Sequence, residues 1–156
     1  MTKPMNIIPA ITPNNRRSWL RPAVATTAAV EAATFYFFGL AHTGLRIPLG
    51  LATVSEPRIV PATVVEWLCG LALAGGACAI AVRHPRGWAA ALGAQLFALA
   101  GVGLGLWAGS SGEGATALNH TYHLVMLGCL AAGGALLLTP AGKATLSRKP
   151  SAPDTP

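Results

Sequence analysis

Four apolar stretches, at residues 22–45, 60–82, 87–108 and 119–139, occupy most of this 156-residue chain. A helix rises ~1.5 Å per residue and roughly 20 residues cross a bilayer core, so each stretch can span. Only Glu31 and Glu66 bring carboxylates into them. The pattern predicts an all-α fold: an integral membrane four-helix transmembrane bundle. It divides the chain into a polar cytoplasmic tail (1–21), a four-span domain (22–139) and a disordered cytoplasmic tail rich in Pro (140–156).

Charged residues make up 10% of the chain and hydrophobic residues 53%. A soluble domain carries about 25% charged residues, so lipid rather than water is the expected surroundings. The net charge of +6 is not a nucleic-acid signal. The basic residues flank the apolar stretches instead of forming one soluble face. Lys3, Arg16, Arg17 and Arg21 precede the first. Arg83 and Arg86 lie between the second and third, and Lys143, Arg148 and Lys149 follow the fourth. Nine of the eleven Lys and Arg thus fall on one side, leaving Arg46 and Arg58 opposite. The positive-inside rule places both termini in the cytoplasm of a multi-pass cell-membrane protein. The lipid bilayer is the first partner, and anionic headgroups suit the basic flanks. A second membrane protein or a second copy of the chain would be a further one.

Arg16-Arg17-Ser18-Trp19 ahead of an apolar run looks like a twin-arginine export signal. Three further spans argue for the other reading, an anchor for the first helix with Trp19 at headgroup level. Cys69, Cys78 and Cys129 all fall within spans, and an odd number of such residues reads as packing rather than a disulfide framework. The apolar piece Ile47–Val54 of the first outer loop is expected to rest in the interface. Pro61 suits the start of helix two. The short turn Arg83–Gly87 makes helices two and three antiparallel neighbours. Asn119 is placed to N-cap helix four. Gly101-x-x-x-Gly105 offers a small face for a neighbouring helix.

Polar groups inside a bilayer are costly, so each needs a partner or a task. The candidates are Glu31, His42, Glu66, Gln95, His120 and His123. Helix one runs outward, which puts Glu31 about 13 Å from its inner end and His42 at the outer mouth. Helix two runs inward, and Glu66 lies about 9 Å below the outer surface. His120 and His123 start helix four at the rim. The expectation is one outer layer of His42, Glu66, His120 and His123, with Glu31 and Gln95 nearer the midplane. Glu31, Phe35, Phe38 and His42 share one face of helix one. His120 and His123, three apart, can meet the same cavity. Imidazoles with a carboxylate can relay protons, or can hold a transition metal or haem, with His42, His120 and His123 as ligands. The same groups can also simply fix helix register. Tyr122 and Trp107 suit the outer interface whatever the function. No phosphate-cradling loop, hydrolase triad or nucleotide fingerprint is present, and a non-enzyme is the favoured reading.

Phe38-Gly39-Leu40-Ala41-His42, then Ile59-Val60-Pro61 and Val65-Glu66-x-x-x-Gly70-Leu71-Ala72-Leu73, resembles DoxX-like membrane proteins over about half the chain. That resemblance implies four helices and an accessory role in membrane redox or stress physiology. It gives no counterpart for the helix-four histidines and carries over no catalytic residue. A second reading is a small proton-coupled exporter of organic cations, in which Glu31 is the proton and cation site and Phe35, Tyr36 and Phe38 line it. The long tails and strong charge bias oppose it. A third is a structural partner subunit of a membrane complex.

Overall fold

The computed structural model of the protein describes residues 19–111 and 116–147. In chain order it contains α1 (Leu20–Ala41), a two-stranded hairpin of β1 (Ile47–Pro48) and β2 (Thr53–Val54), α2 (Val60–Ala81), α3 (Gly87–Ser111), α4 (Ala117–Leu138) and the short α5 (Pro140–Leu146). The four long helices are each apolar and long enough to cross a membrane. The fold is an all-α bundle, and the chain is a multi-pass membrane protein. The twin Arg16–Arg17, Glu113 and the residues beyond Ser147 lie outside the described residues.

The helices carry many of their large side chains outward, although Phe35, Leu73, Leu130 and Leu137 are buried. Val30, Leu68, Leu71, Leu96, Phe97 and Val125 are all exposed, while Ala32, Gly70, Gly76, Ala94 and Ala98 are buried. Lipid is as apolar as leucine, so burying leucine between helices gains little there. Close approach through small residues gains dispersion contact instead. Successive helices pack in chain order, α1 on α2, α2 on α3 and α3 on α4, and the closing contact between α4 and α1 is sparse. Toward the hairpin end that seam is closed by rings: Phe38 stacks on Tyr122 at 3.7 Å between centroids and 7° between planes, and Phe35 meets Tyr122 edge-on. Tyr122 is therefore a core residue, 5% exposed, and not an interfacial one.

At one end, the α2–α3 turn is sealed by polar contacts. The His84 N–H donates to the Ala79 carbonyl and the Arg83 N–H to the Ile80 carbonyl, with Arg83 in the left-handed region at φ 56°. This pair of bonds closes a helix C-terminus in the Schellman manner, with arginine where glycine is usual. Arg21 donates to the carbonyls of Ile80 (3.2 Å) and Thr145 (2.9 Å), so it ties three helices together besides flanking a span. Trp88 Nε1 donates to the Leu137 carbonyl, and the Lys143 ammonium lies over the Trp88 ring. The stretch from Pro140 to Leu146 is helical where the sequence predicts disorder. Thr139 caps it by accepting from the Gly142 N–H, and Leu146 buries against Leu20 and Ile80.

The opposite end carries the hairpin. Helix α1 stops at Ala41, four residues before its apolar stretch does, because Gly44 turns left-handed at φ 86°. The Ile59 N–H then donates to the His42 carbonyl, pinning the loop's return to the end of α1. Ile47 pairs with Val54, and the tip residues Leu49 and Leu51 are exposed. Helix α4 is capped by Thr116, which accepts from the Asn119 N–H, and not by Asn119 itself. The helix starts two residues earlier than the apolar pattern suggests, which turns Asn119 inward.

Candidate functional site

Two buried polar pairs lie between the helices. In the first, His42 Nδ1 lies 2.9 Å from Glu66 Oε2. His42 is 0% exposed and Glu66 3%. His42 caps the end of α1 while Glu66 lies two turns into α2. Antiparallel packing of these helices brings the two to one level. In the second pair, Gln95 Nε2 donates to Glu31 Oε2 at 2.7 Å, linking α3 to α1. Each pair leaves atoms with no hydrogen-bond partner among the described residues: His42 Nε2, Glu66 Oε1, Glu31 Oε1 and Gln95 Oε1.

The first pair lies in the wall of a cavity of about 400 Å³ at the hairpin end. That volume lies in the range of small-molecule sites. All four long helices contribute: Phe35 and the following His42 from α1's side, Val65 and Glu66 from α2, Leu104 and Gly105 from α3, Asn119 and His123 from α4. His123 Nδ1 lies 2.9 Å from the Asn119 carbonyl one turn back, which fixes its ring against α4. The ring lies directly over Gly105, where any Cβ would collide with it. The facing glycine at position 101 makes room for the Cys69 sulfur in the same way. The two glycines of the Gly-x-x-x-Gly pattern thus admit side chains from two different helices.

His42, Glu66 and His123 therefore line one cavity, whereas His120 is exposed and outside it. The inward positions of α4 step by four, from Asn119 to His123, so His120 falls to one side. Among the described residues, no three His, Cys, Asp or Glu side chains are grouped as a metal site would require. Glu31 borders a second cavity of about 600 Å³ in the sparse seam between α1 and α4. Its wall includes Thr26, Thr27, Thr34 and Met126 together with smaller apolar side chains, and not the aromatic residues expected around it. Phe35 belongs to the first cavity, Phe38 to the Tyr122 stack, and Tyr36 packs on Gly70.

The sequence reading passes over Glu56. It is 4% exposed in the hairpin loop, and its carboxylate accepts at 2.7 Å from the hydroxyl of Thr116, the cap of α4. Anions suit helix N-termini, so one contact joins the α1–α2 loop to the start of α4 beside the cavity. A lone acid in a short loop and a threonine ahead of an apolar run were the available signals. Their pairing, 60 residues apart, was not legible.

The fold and these spans define an all-α, four-helix membrane bundle with an internal cavity. Compared with protein-family models, with curated protein sequences and with solved structures, the chain matches none.

Proposed function

We propose that this is a ligand-binding protein of the cell membrane, with both termini cytoplasmic, whose outer cavity holds a small, mostly apolar molecule. His42 and Glu66 exchange a proton at that cavity. One observation carries the reading: a buried imidazole–carboxylate contact of 2.9 Å lies in the wall of a cavity of ligand size. A pair that only held two helices together would be as well served by two neutral groups. An imidazole and a carboxylate differ in that a proton can reside on either. The orientation rests on the basic residues, nine of eleven on one side.

The DoxX-like resemblance is compatible with this reading. The segments that carry it, Phe38–His42 and Val65–Leu73, lie against each other: Gly39 accommodates the Trp67 ring and His42 bonds Glu66. On that basis an accessory role in membrane redox or stress physiology, beside another membrane protein, is the wider proposal. The exporter reading has less support, since no aromatic cage surrounds Glu31 among the described residues. The purely structural reading leaves the cavity without a task.

Binding of a two-ring aromatic probe to the protein in nanodiscs tests the reading, with empty nanodiscs as the partition control. Saturable binding is expected, and Ala62→Phe, which puts a ring into the cavity, should abolish it. Partition indistinguishable from empty nanodiscs would overturn it. Reporter fusions near residues 52 and 85 should read outside and inside. The reverse would move the cavity to the cytoplasmic face.

A further inference from the structure

We propose that the open half of the α1–α4 seam binds one anionic phospholipid, with an acyl chain in the groove and the phosphate among Arg21, Arg83 and Lys143. This site is separate from the outer cavity. The orientation proposed above decides only that the inner leaflet supplies the lipid.

The groove that Glu31 borders, about 600 Å³ in volume, does not run the length of the seam. On α1 its wall extends from Pro22 to Thr34, ~18 Å at helical rise. Beyond Thr34 the stacked rings of Phe38 and Tyr122 close the seam. The hydrocarbon core of a bilayer is ~30 Å thick, so one leaflet contributes about half of it. The groove therefore matches one leaflet. A partner's transmembrane helix would need an open groove along the full span, whereas an acyl chain from headgroup to midplane needs only this half. The lining suits a chain as well. Val30, Val125 and Cys129 offer apolar surface, and the Thr34 hydroxyl turns back to donate to the Val30 carbonyl at 2.9 Å. Glu31 is 4% exposed, so its carboxyl presents almost no polar surface to the groove.

The end of the groove at Pro22 is basic. Arg21 directly precedes Pro22, and its Nη1 donates to the Ile80 carbonyl at 3.2 Å. The Arg83 backbone N–H donates to the same oxygen at 3.1 Å, which brings Arg83 near enough for the two guanidinium groups to repel. Arg21 Nη2 donates to the Thr145 carbonyl, two residues beyond Lys143 in α5. The Lys143 ammonium lies 5.0 Å from the Trp88 ring centroid, a contact that attracts a cation without neutralising it. Arg83 and Lys143 are both exposed. Among the described residues no carboxylate offsets these charges. Glu31 lies ~16 Å along α1 from Leu20, Glu56 and Glu66 belong to the hairpin end, and the one ion pair is His42–Glu66. A guanidinium has five N–H donors, and the two carbonyl bonds of Arg21 leave three for an anion. A phosphate here offsets the repulsion among the cations, and the groove beside it takes the chain attached to that phosphate.

Native mass spectrometry of the full chain in neutral detergent tests the site. The probes are dioleoyl phosphatidylglycerol, dioleoyl phosphatidylcholine and the water-soluble headgroup glycerophosphoglycerol. One phosphatidylglycerol should bind about tenfold tighter than phosphatidylcholine or more, because each basic group near a headgroup contributes roughly fivefold. The headgroup alone should bind far more weakly than the lipid. Lys143→Gln and Arg83→Gln should each cut the preference about fivefold. Thr27→Trp, which puts a ring into the groove, should weaken both lipids and leave their ratio unchanged. Equal affinities for the two lipids in the unmodified protein would overturn the proposal. Headgroup binding as tight as that of the lipid would leave an anion site without a chain and overturn it too. A preference retained in the double variant, Arg83→Gln with Lys143→Gln, would place the phosphate elsewhere. A dimer that forms as lipid is withdrawn and is blocked by Thr27→Trp would give the groove to a second copy of the chain. The first two results come from the unmodified protein, so a variant that fails to fold does not shelter the proposal. None of these outcomes alters aromatic-probe binding at the hairpin end, which tests the ligand-binding reading by itself.

Discussion

Glu66 and Glu31 are both buried carboxyls inside membrane helices, 3% and 4% exposed. Each has one oxygen hydrogen-bonded and the other without a partner among the described residues. The partners separate them. Glu66 faces an imidazole, which can take or give a proton at moderate pH, whereas Glu31 faces the Gln95 amide, which cannot. Their surroundings differ as well. Glu66 lines a cavity shared by all four helices, while Glu31 borders a seam between two that scarcely touch. An acid in a membrane helix therefore does not by itself announce an activity. What it is bonded to, and what it borders, decide between chemistry and helix adhesion.

The largest effect should come from filling the space under His123. Gly105→Leu drives a side chain into that ring, and overpacking at so close a contact should cost about 3 kcal/mol, the upper end of the usual range. It should also close the cavity at Glu66 and leave the Glu31 pair intact. Gly103→Leu, two residues away with nothing near its Cβ, should change stability by less than about 0.5 kcal/mol. Denaturation in mixed micelles measures both. Equal tolerance of the two would mean that His123 is not held against α3.

Removing one partner from each pair should cost about 1–3 kcal/mol, the usual loss when a buried polar group is orphaned. Glu66→Leu strands His42 Nδ1, and Gln95→Leu strands Glu31. Only Glu66→Leu should alter probe binding at the hairpin end. If Gln95→Leu weakens it equally, the two layers are coupled and the contrast drawn between them fails.

Isosteric replacement separates the pairs more finely. Glu66→Gln and Glu31→Gln each retain an oxygen and should shift stability by less than about 1 kcal/mol. Probe affinity in the unmodified protein should vary with pH as the His42–Glu66 pair gains or loses its shared proton. Glu66→Gln should flatten that profile and Glu31→Gln should not. A profile unchanged in Glu66→Gln would assign the titration to another group.

The spans, their order and the meeting of His42 with Glu66 were legible because apolar length and helical rise are properties of single segments. Depth along four helices then follows from simple counting. Contacts set by the mutual rotation of helices were not legible. Asn119 in place of His120 on the cavity wall depends on where α4 begins, a shift of two residues. The helix from Pro140 to Leu146 escaped because seven residues of mixed character carry no strong pattern. Its order comes from the Thr139 cap and from Leu146 meeting Leu20 and Ile80. Glu56 and Thr116 met only through tertiary structure.

The smallest effect is expected where the exporter reading expects the largest. In cells, Glu31→Gln should leave resistance to cationic dyes unchanged at normal expression. The Gln95 amide can bond a glutamine oxygen as it bonds the carboxyl, so the α1–α3 contact persists. The cavity beside Glu31 is walled by threonines and by aliphatic and sulfur-bearing side chains, with no stacked rings among the described residues to hold an aromatic cation. A carboxylate working alone would have to bind each cation and then release it in exchange for protons, without that cage. Loss of resistance together with loss of pH-driven dye efflux would show that it does so. Glu31 would then be the working acid of this protein, and Glu66 the one that holds helices together.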